Sequence, residues 1–238
     1  MLTVFVGGQH FGLPDASPFV TKVIILLKMA GVPYETAKAD FNKAPKGKIP
    51  YIKDGDGPLL GDSSFIRQHL ETKYGANFDG TLSAAERGVA LAIERLCEDH
   101  LYWAVVHNRW MDRDNFNKGP RHFFDETPAV IRPLIIAMVH RQFRRNLKGH
   151  GLGRHTDAEI TQLAVRDLAA ISDFMGDKPW LMGHEPCGAD ATVWSIVTSA
   201  LCPFFESPIR KAGEHHANLM AYRDRGMVKW FTETQHAT

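Results

Sequence analysis

Cysteine is scarce in this 238-residue sequence, and the three present, Cys97, Cys187 and Cys202, lie far apart. They make neither a disulfide framework nor a metal-binding knuckle, so a reducing, cytoplasmic setting is expected and no metal centre. An excess of either charge is also missing. Lys and Arg number 28 against 27 Asp and Glu, a net charge of +1, which supplies no overall field to draw nucleic acid or an anionic membrane. Long apolar runs are absent too. The most apolar stretches, Val23–Leu27 and Leu134–Val139, are too short to span a bilayer. With a strand-like Thr3–Val6 in place of a charged and an apolar region, no secretory leader is expected. Internal repeats and low-complexity tracts are lacking, and after residue 82 so is any convincing β-strand. Twelve histidines occur without metal-ligand spacing beyond the His215-His216 pair.

What the chain does contain is a first third that alternates strand and helix signals. Thr3–Gly7 is β-prone. Ser17–Gly31 reads as a helix with Ser17 as N-cap, Pro18 at the first helical position and Gly31 as stop. Val32–Glu35 is extended. Ile49–Lys53 and Pro58–Leu60 flank Asp54-Gly55-Asp56-Gly57, a hairpin signal. Asp62/Ser63 open a helix that ends at Tyr74-Gly75. The order β-α-β-loop-β-β-α is that of a thioredoxin-like domain, expected over about residues 1–76. Residues 75–82 read as a linker. An all-helical domain is expected from about 82 to 238. Its signals are a capping box at Ser83–Glu86 opening one long helix to about Met111, a helix over 128–147, a second capping box at Thr156–Glu159, and helices over Gly188–Leu201 and Asn218–Trp230.

Three signals carry chemistry. The Ser17 hydroxyl has a hydrogen to donate, and a bound thiol that receives it beside a positive helix start ionises more readily; the same serine serves equally as a plain helix cap. A cis Ile49–Pro50 bond would present the Ile49 backbone to an extended peptide, whereas a trans bond would simply open an edge strand. The helix start at Asp62-Ser63 suits a carboxylate, and the Asp62 side chain suits an ammonium group, although capping alone also accounts for both. In this order within one plan they suit a small anionic peptide carrying a thiol.

The combination resembles the glutathione S-transferase superfamily over essentially the whole chain. That resemblance implies an α/β plus all-α fold, a thioredoxin-like N-terminal domain with an all-helical glutathione S-transferase C-terminal domain. It implies Ser17 as the serine-type thiol activator, and Lys48, Ile49, Pro50, Asp62 and Ser63 as the glutathione-binding set. Glutathione is then the co-substrate, a small hydrophobic electrophile its partner, and a homodimer the expected assembly. A narrower resemblance, to the failed-axon-connections and metaxin-like branch, rests on Ser17-Pro18-Phe19…Lys22, Met29–Glu35, Pro45–Ile52, Asp62–Ile66, His150–His155 and Gly183–Ala191. It keeps open a non-catalytic glutathione-binding or scaffold protein. Position 20 is valine where a redox-active relative would carry a second cysteine, and no cysteine lies in the first domain, which disfavours thiol–disulfide exchange. Cys187 stands where the family pattern places a Ser/Thr cap, with Asp190 still able to bind backbone N–H groups.

Weaker signals remain. His100, Trp103, His107 and Trp110 fall near one face of the long helix with Arg109 nearby. Trp103, His107 and Trp110 are candidates for the electrophile pocket, and equally for core or interface. The basic stretch from His140 to His155 reads as a solvated face.

Overall fold

The computed structural model describes residues 1–80 and 82–232. Its first third holds β1 (Leu2–Val6), α1 (Pro18–Met29), β2 (Tyr34–Lys38), β3 (Tyr51–Asp54), β4 (Leu60–Gly61) and α2 (Ser63–Tyr74). The four strands form one sheet in the order β2-β1-β3-β4, with β1 parallel to β2 and antiparallel to β3. Alternation along the strands puts Leu2, Val4 and Ile52 into the core with Val23, Leu27, Ile66 and Leu70. Each such aliphatic side chain contributes roughly 1.5–3 kcal/mol on full burial. The Gly75 stop adopts φ 67, the left-handed value glycine takes at no steric cost.

Among the described residues eight α-helices follow: α3 (Ala84–Leu96), α4 (Tyr102–Met111), α5 (Arg113–Lys118), α6 (Arg132–His150), α7 (Asp157–Met175), α8 (Gly188–Ala200), α9 (Pro208–Gly213) and α10 (Ala217–Phe231). This is the expected fold. The long helix to Met111 is not continuous, because residues 97–101 form a π turn between α3 and α4. At this turn Glu98 faces Lys22 and His100 faces Asp167, tertiary contacts that helical periodicity does not encode. Helix α6 begins at Arg132 rather than 128 and takes Pro133 into its first turn, where no N–H is needed. Both capping boxes are formed.

Helix α8 is buried along its whole length, and α1 packs directly against it. One continuous core therefore joins the two halves. Beside it lies a buried ionic network. Lys22, 2% exposed, places Nζ 2.7 Å from Glu98 and 3.5 Å from Glu94. Glu94 also takes Arg67 at 3.2 Å and the Thr192 hydroxyl, Arg67 pairs with Asp79, and Asp79 accepts the Gly188 N–H at 3.0 Å. Helices α1 and α2 are thus tied by charge to α3, and the network reaches α8 through hydrogen bonds from Thr192 and Gly188. At the far end Asp190, fully buried, accepts N–H bonds from Leu181 and Cys187 and the Tyr222 hydroxyl proton at 2.6 Å.

Candidate functional site

The Ser17 side chain makes no capping hydrogen bond, and only its carbonyl receives the Val20 and Thr21 N–H groups. Its hydroxyl stands half-buried at the positive end of α1, available to an incoming group. What fixes the residue is Asp15, which the sequence reading passed over. One carboxylate oxygen accepts the Ser17 N–H at 2.7 Å and the other the Gly8 N–H at 2.8 Å. Asp15 is 2% exposed, and desolvation raises its pKa to about 6 against the opposing pull of those backbone bonds.

The loop carrying Ser17 is also pinned from the helical half. The Phe11 ring sits 4.8 Å from Phe205 and 5.0 Å from Phe204, and the Cys202 thiol donates to the Phe11 carbonyl. From α4, Arg109 reaches the Ala16 carbonyl at a long 3.5 Å.

The Ile49–Pro50 bond is cis. Among the described residues the Ile49 N–H and C=O pair with no other backbone group, leaving an open stretch of main chain just before β3. A Cβ added at Gly7 would lie 3.1 Å from Asp15 and 3.2 Å from Ile49, so the end of β1 brings the Ser17 loop and the proline edge together. The Asp62 N–H reaches the Pro50 carbonyl at 3.4 Å and joins the third signal to the second. Asp62 itself caps α2 from φ 84, with its carboxylate on the Ser64 N–H, and Ser63 is buried. Lys48 is exposed in the preceding loop, and the lysine that reaches Asp62 is Lys46, at 3.4 Å. Tyr51 holds that loop through two hydrogen bonds to the Asp40 backbone.

Helix α4 presents two faces with different partners. Tyr102 lies against Phe19, and Arg109 lies under the Ser17 loop. Trp103 stacks on His150 at the end of α6, and His107, whose pKa burial lowers, faces Asp157 on α7. Trp110 stacks on Phe143 at 3.9 Å and also borders Phe123, whose ring lies 5.0 Å from His10. Trp110 thus connects through this chain of rings to the loop before Ser17, and Trp103 connects through Tyr102 to Phe19 just after it. His10, Phe11 and Phe123 form one ring cluster, with centroids 5.0–5.6 Å apart. They were missed because no periodic pattern relates a strand–helix loop to a 3-10 turn more than a hundred residues away.

The family model for the glutathione S-transferase N-terminal domain matches residues 18–115, and that for the C-terminal domain residues 164–226. The isoprene-epoxide–glutathione S-transferase of Rhodococcus sp. (strain AD45) is 33% identical over 210 residues, which take in 83% of this chain and 85% of that protein. The chain belongs to the glutathione S-transferase family. Within the family it is also similar to Failed axon connections of Drosophila melanogaster, 29% identical over 78% of this chain and 47% of that protein. Metaxin-1 of Mus musculus is 26% identical over 93% and 72%. Among solved structures, a glutathione S-transferase from Methylobacterium radiotolerans in complex with glutathione sulfonate superposes with a TM-score of 0.63 at 20% identity, over 96% of this chain and 91% of that one. A family member from Pseudomonas fluorescens with two glutathione molecules bound gives 0.61 at 18%, over 95% and 88%. The transferase fold is thereby shown, and Ser17, Ile49-Pro50 and Asp62-Ser63 lie together along one edge of its sheet-bearing half.

Proposed function

We propose that the protein binds glutathione along the Ile49–Pro50 edge and conjugates it to a small hydrophobic electrophile. The observation that carries this reading is the Ser17 hydroxyl, uncommitted to capping at the start of α1 beside an unpaired stretch of backbone. In this reading Ile49 pairs through its main chain with the cysteinyl part of the tripeptide, Asp62 and Ser63 take the γ-glutamyl end, and Lys48 or Lys46 meets a carboxylate. The thiol releases its proton to solvent, and Ser17 donates a hydrogen bond to the resulting thiolate. The sulfur then bonds to an electrophilic carbon, and the electron pair of the bond that breaks departs with the leaving atom, which is protonated by water. Trp110, Phe123, Phe11 and His10 supply the apolar wall. A cytoplasmic homodimer is part of the proposal.

The similarity to Failed axon connections and metaxin-1 favours a second reading, a glutathione-binding or scaffold protein without turnover. Calorimetric titration with glutathione, then conjugation assays with a panel of electrophiles, separates the two. Loss of the Ser17 donor should lower kcat on the order of 10²-fold in Ser17→Ala, as for other preorganised donors to developing charge. Binding without turnover supports the scaffold. Equal turnover by Ser17→Ala refutes the role given to Ser17.

A further inference from the structure

The Arg109 guanidinium is 6% exposed and no carboxylate pairs with it among the described residues. Its hydrogen bonds go to neutral oxygens: the Ser199 carbonyl at 2.7 Å, the Ser199 hydroxyl at 2.8 Å and the Ala16 carbonyl at 3.5 Å. Its flat face lies 4.7 Å from the centre of the Phe205 ring. The other buried cation among the described residues, Lys22, has two glutamates. An uncompensated charge taken out of water costs several kcal/mol, so its retention calls for an anion nearby. The cavity beneath it, lined by Ser199, Cys202 and Phe205 among others, is about 10 Å³. That is room for no more than a single water, so a counter-anion cannot sit on that side.

The other contact of the guanidinium is the Ser17 loop. Arg109 meets the carbonyl of the Ala16–Ser17 peptide, while Asp15 accepts the N–H of the same peptide. One peptide plane is therefore held between a cation from α4 and a carboxylate from its own loop. We propose that Arg109 is a positioning residue for the thiolate. It holds the Ala16–Ser17 peptide from the helical half, and its unpaired charge supplies through Ser17 part of the positive potential that ionises the bound thiol. This rests on the glutathione reading above. The other ionisable groups around Arg109 are Tyr102 on α4 and Cys202 after α8, with Asp15 across the shared peptide; Arg210, which donates to the Phe205 carbonyl, is already paired with Glu206 and Glu214. Burial lowers the Arg109 pKa to about 10, so the side chain is still a cation at neutral pH.

Two variants test the charge in different ways. Arg109→Gln removes it and keeps an amide donor. Ser199→Asp leaves Arg109 in place and gives it the missing carboxylate, which protects the test if the first variant does not fold. The ultraviolet absorbance of the bound thiolate is titrated with pH in both variants, in Arg109→Lys and in the wild type, beside kcat and KM for conjugation. The expected result is an apparent thiol pKa raised by about one unit in Arg109→Gln and Ser199→Asp, a tenfold loss of rate at neutral pH. KM for glutathione should change little, the rate should recover at high pH, and Arg109→Lys should stay near the wild type. Unchanged thiol pKa in both charge variants, with a depressed value in the wild type, overturns the role of Arg109. A wild-type thiol that binds yet titrates like free glutathione overturns the conjugation reading itself.

Discussion

Substituting Lys22 by methionine tests the ionic network that ties the two halves together. Lys22 is 2% exposed and sits 2.7 Å from Glu98 and 3.5 Å from Glu94, both buried. Removing one partner of a buried pair costs about 3–5 kcal/mol, because the remaining charge stays in a poor solvent. Here each carboxylate keeps a second cation: Arg95 lies 2.7 Å from Glu98, and Arg67 lies 3.2 Å from Glu94. Methionine also preserves most of the aliphatic packing of the lysine stem. The expected loss is therefore toward the lower end, about 3 kcal/mol, equivalent to a fall in Tm of about 6–12 °C for a chain of this length. Urea unfolding at fixed protein concentration measures it, with Glu98→Gln and the double variant completing a cycle. The double variant should lose at least about 1 kcal/mol less than the two single losses together, since the orphaned carboxylate is gone. High salt should change the cycle little, because a buried pair is weakly screened. A Lys22→Met loss below about 1 kcal/mol, or strict additivity in the cycle, would show that the network does not couple the halves.

Further outcomes follow from other contacts. Asp15 has a folded pKa of about 6 against an ordinary 3.8, so the native state holds its proton more tightly than the unfolded chain. Its contribution is thus greatest below the unfolded value and is lost as pH rises through about 6; the stability of wild type relative to Asp15→Asn should fall by about 2 kcal/mol from pH 4 to 7, and a flat difference would refute the burial argument. A Cβ at Gly226 would lie 2.0 Å from the Trp194 indole nitrogen, whose N–H donates to the Tyr222 and Arg223 carbonyls; Gly226→Ala should cost about 3 kcal/mol in chemical unfolding. Tyr222→Phe leaves Asp190 its two backbone donors and should cost about 1–2 kcal/mol by the same measurement.

The sheet-bearing half was largely legible in the sequence because its signals are local. Pro18 behind Ser17, the glycines of the 54–57 turn and the Asp62 cap each act through neighbours a few residues away. The helices of the second half were legible where a capping box marked their start, as at Ser83 and Thr156. Less visible were the π turn at 97–101, whose side chains answer to Lys22 and Asp167 on other elements, and the short helices α5 and α9, too brief to show a period. The site divides in the same way. Ser17, Ile49-Pro50 and Asp62-Ser63 were named by order and spacing, since each lies at an element boundary that local chemistry defines.

Sequence by itself thus determined the family, the order of elements and the polar groups offered along one edge. Only the tertiary structure decided which distant groups meet that edge. It freed the Ser17 hydroxyl from capping, set Asp15 and Arg109 on opposite sides of one peptide, and turned Trp103 and His107 toward α6 and α7. The physical reason is that hydrogen-bonded caps and turns are settled within a few residues, whereas burial and unpaired charge depend on what the packed core brings alongside.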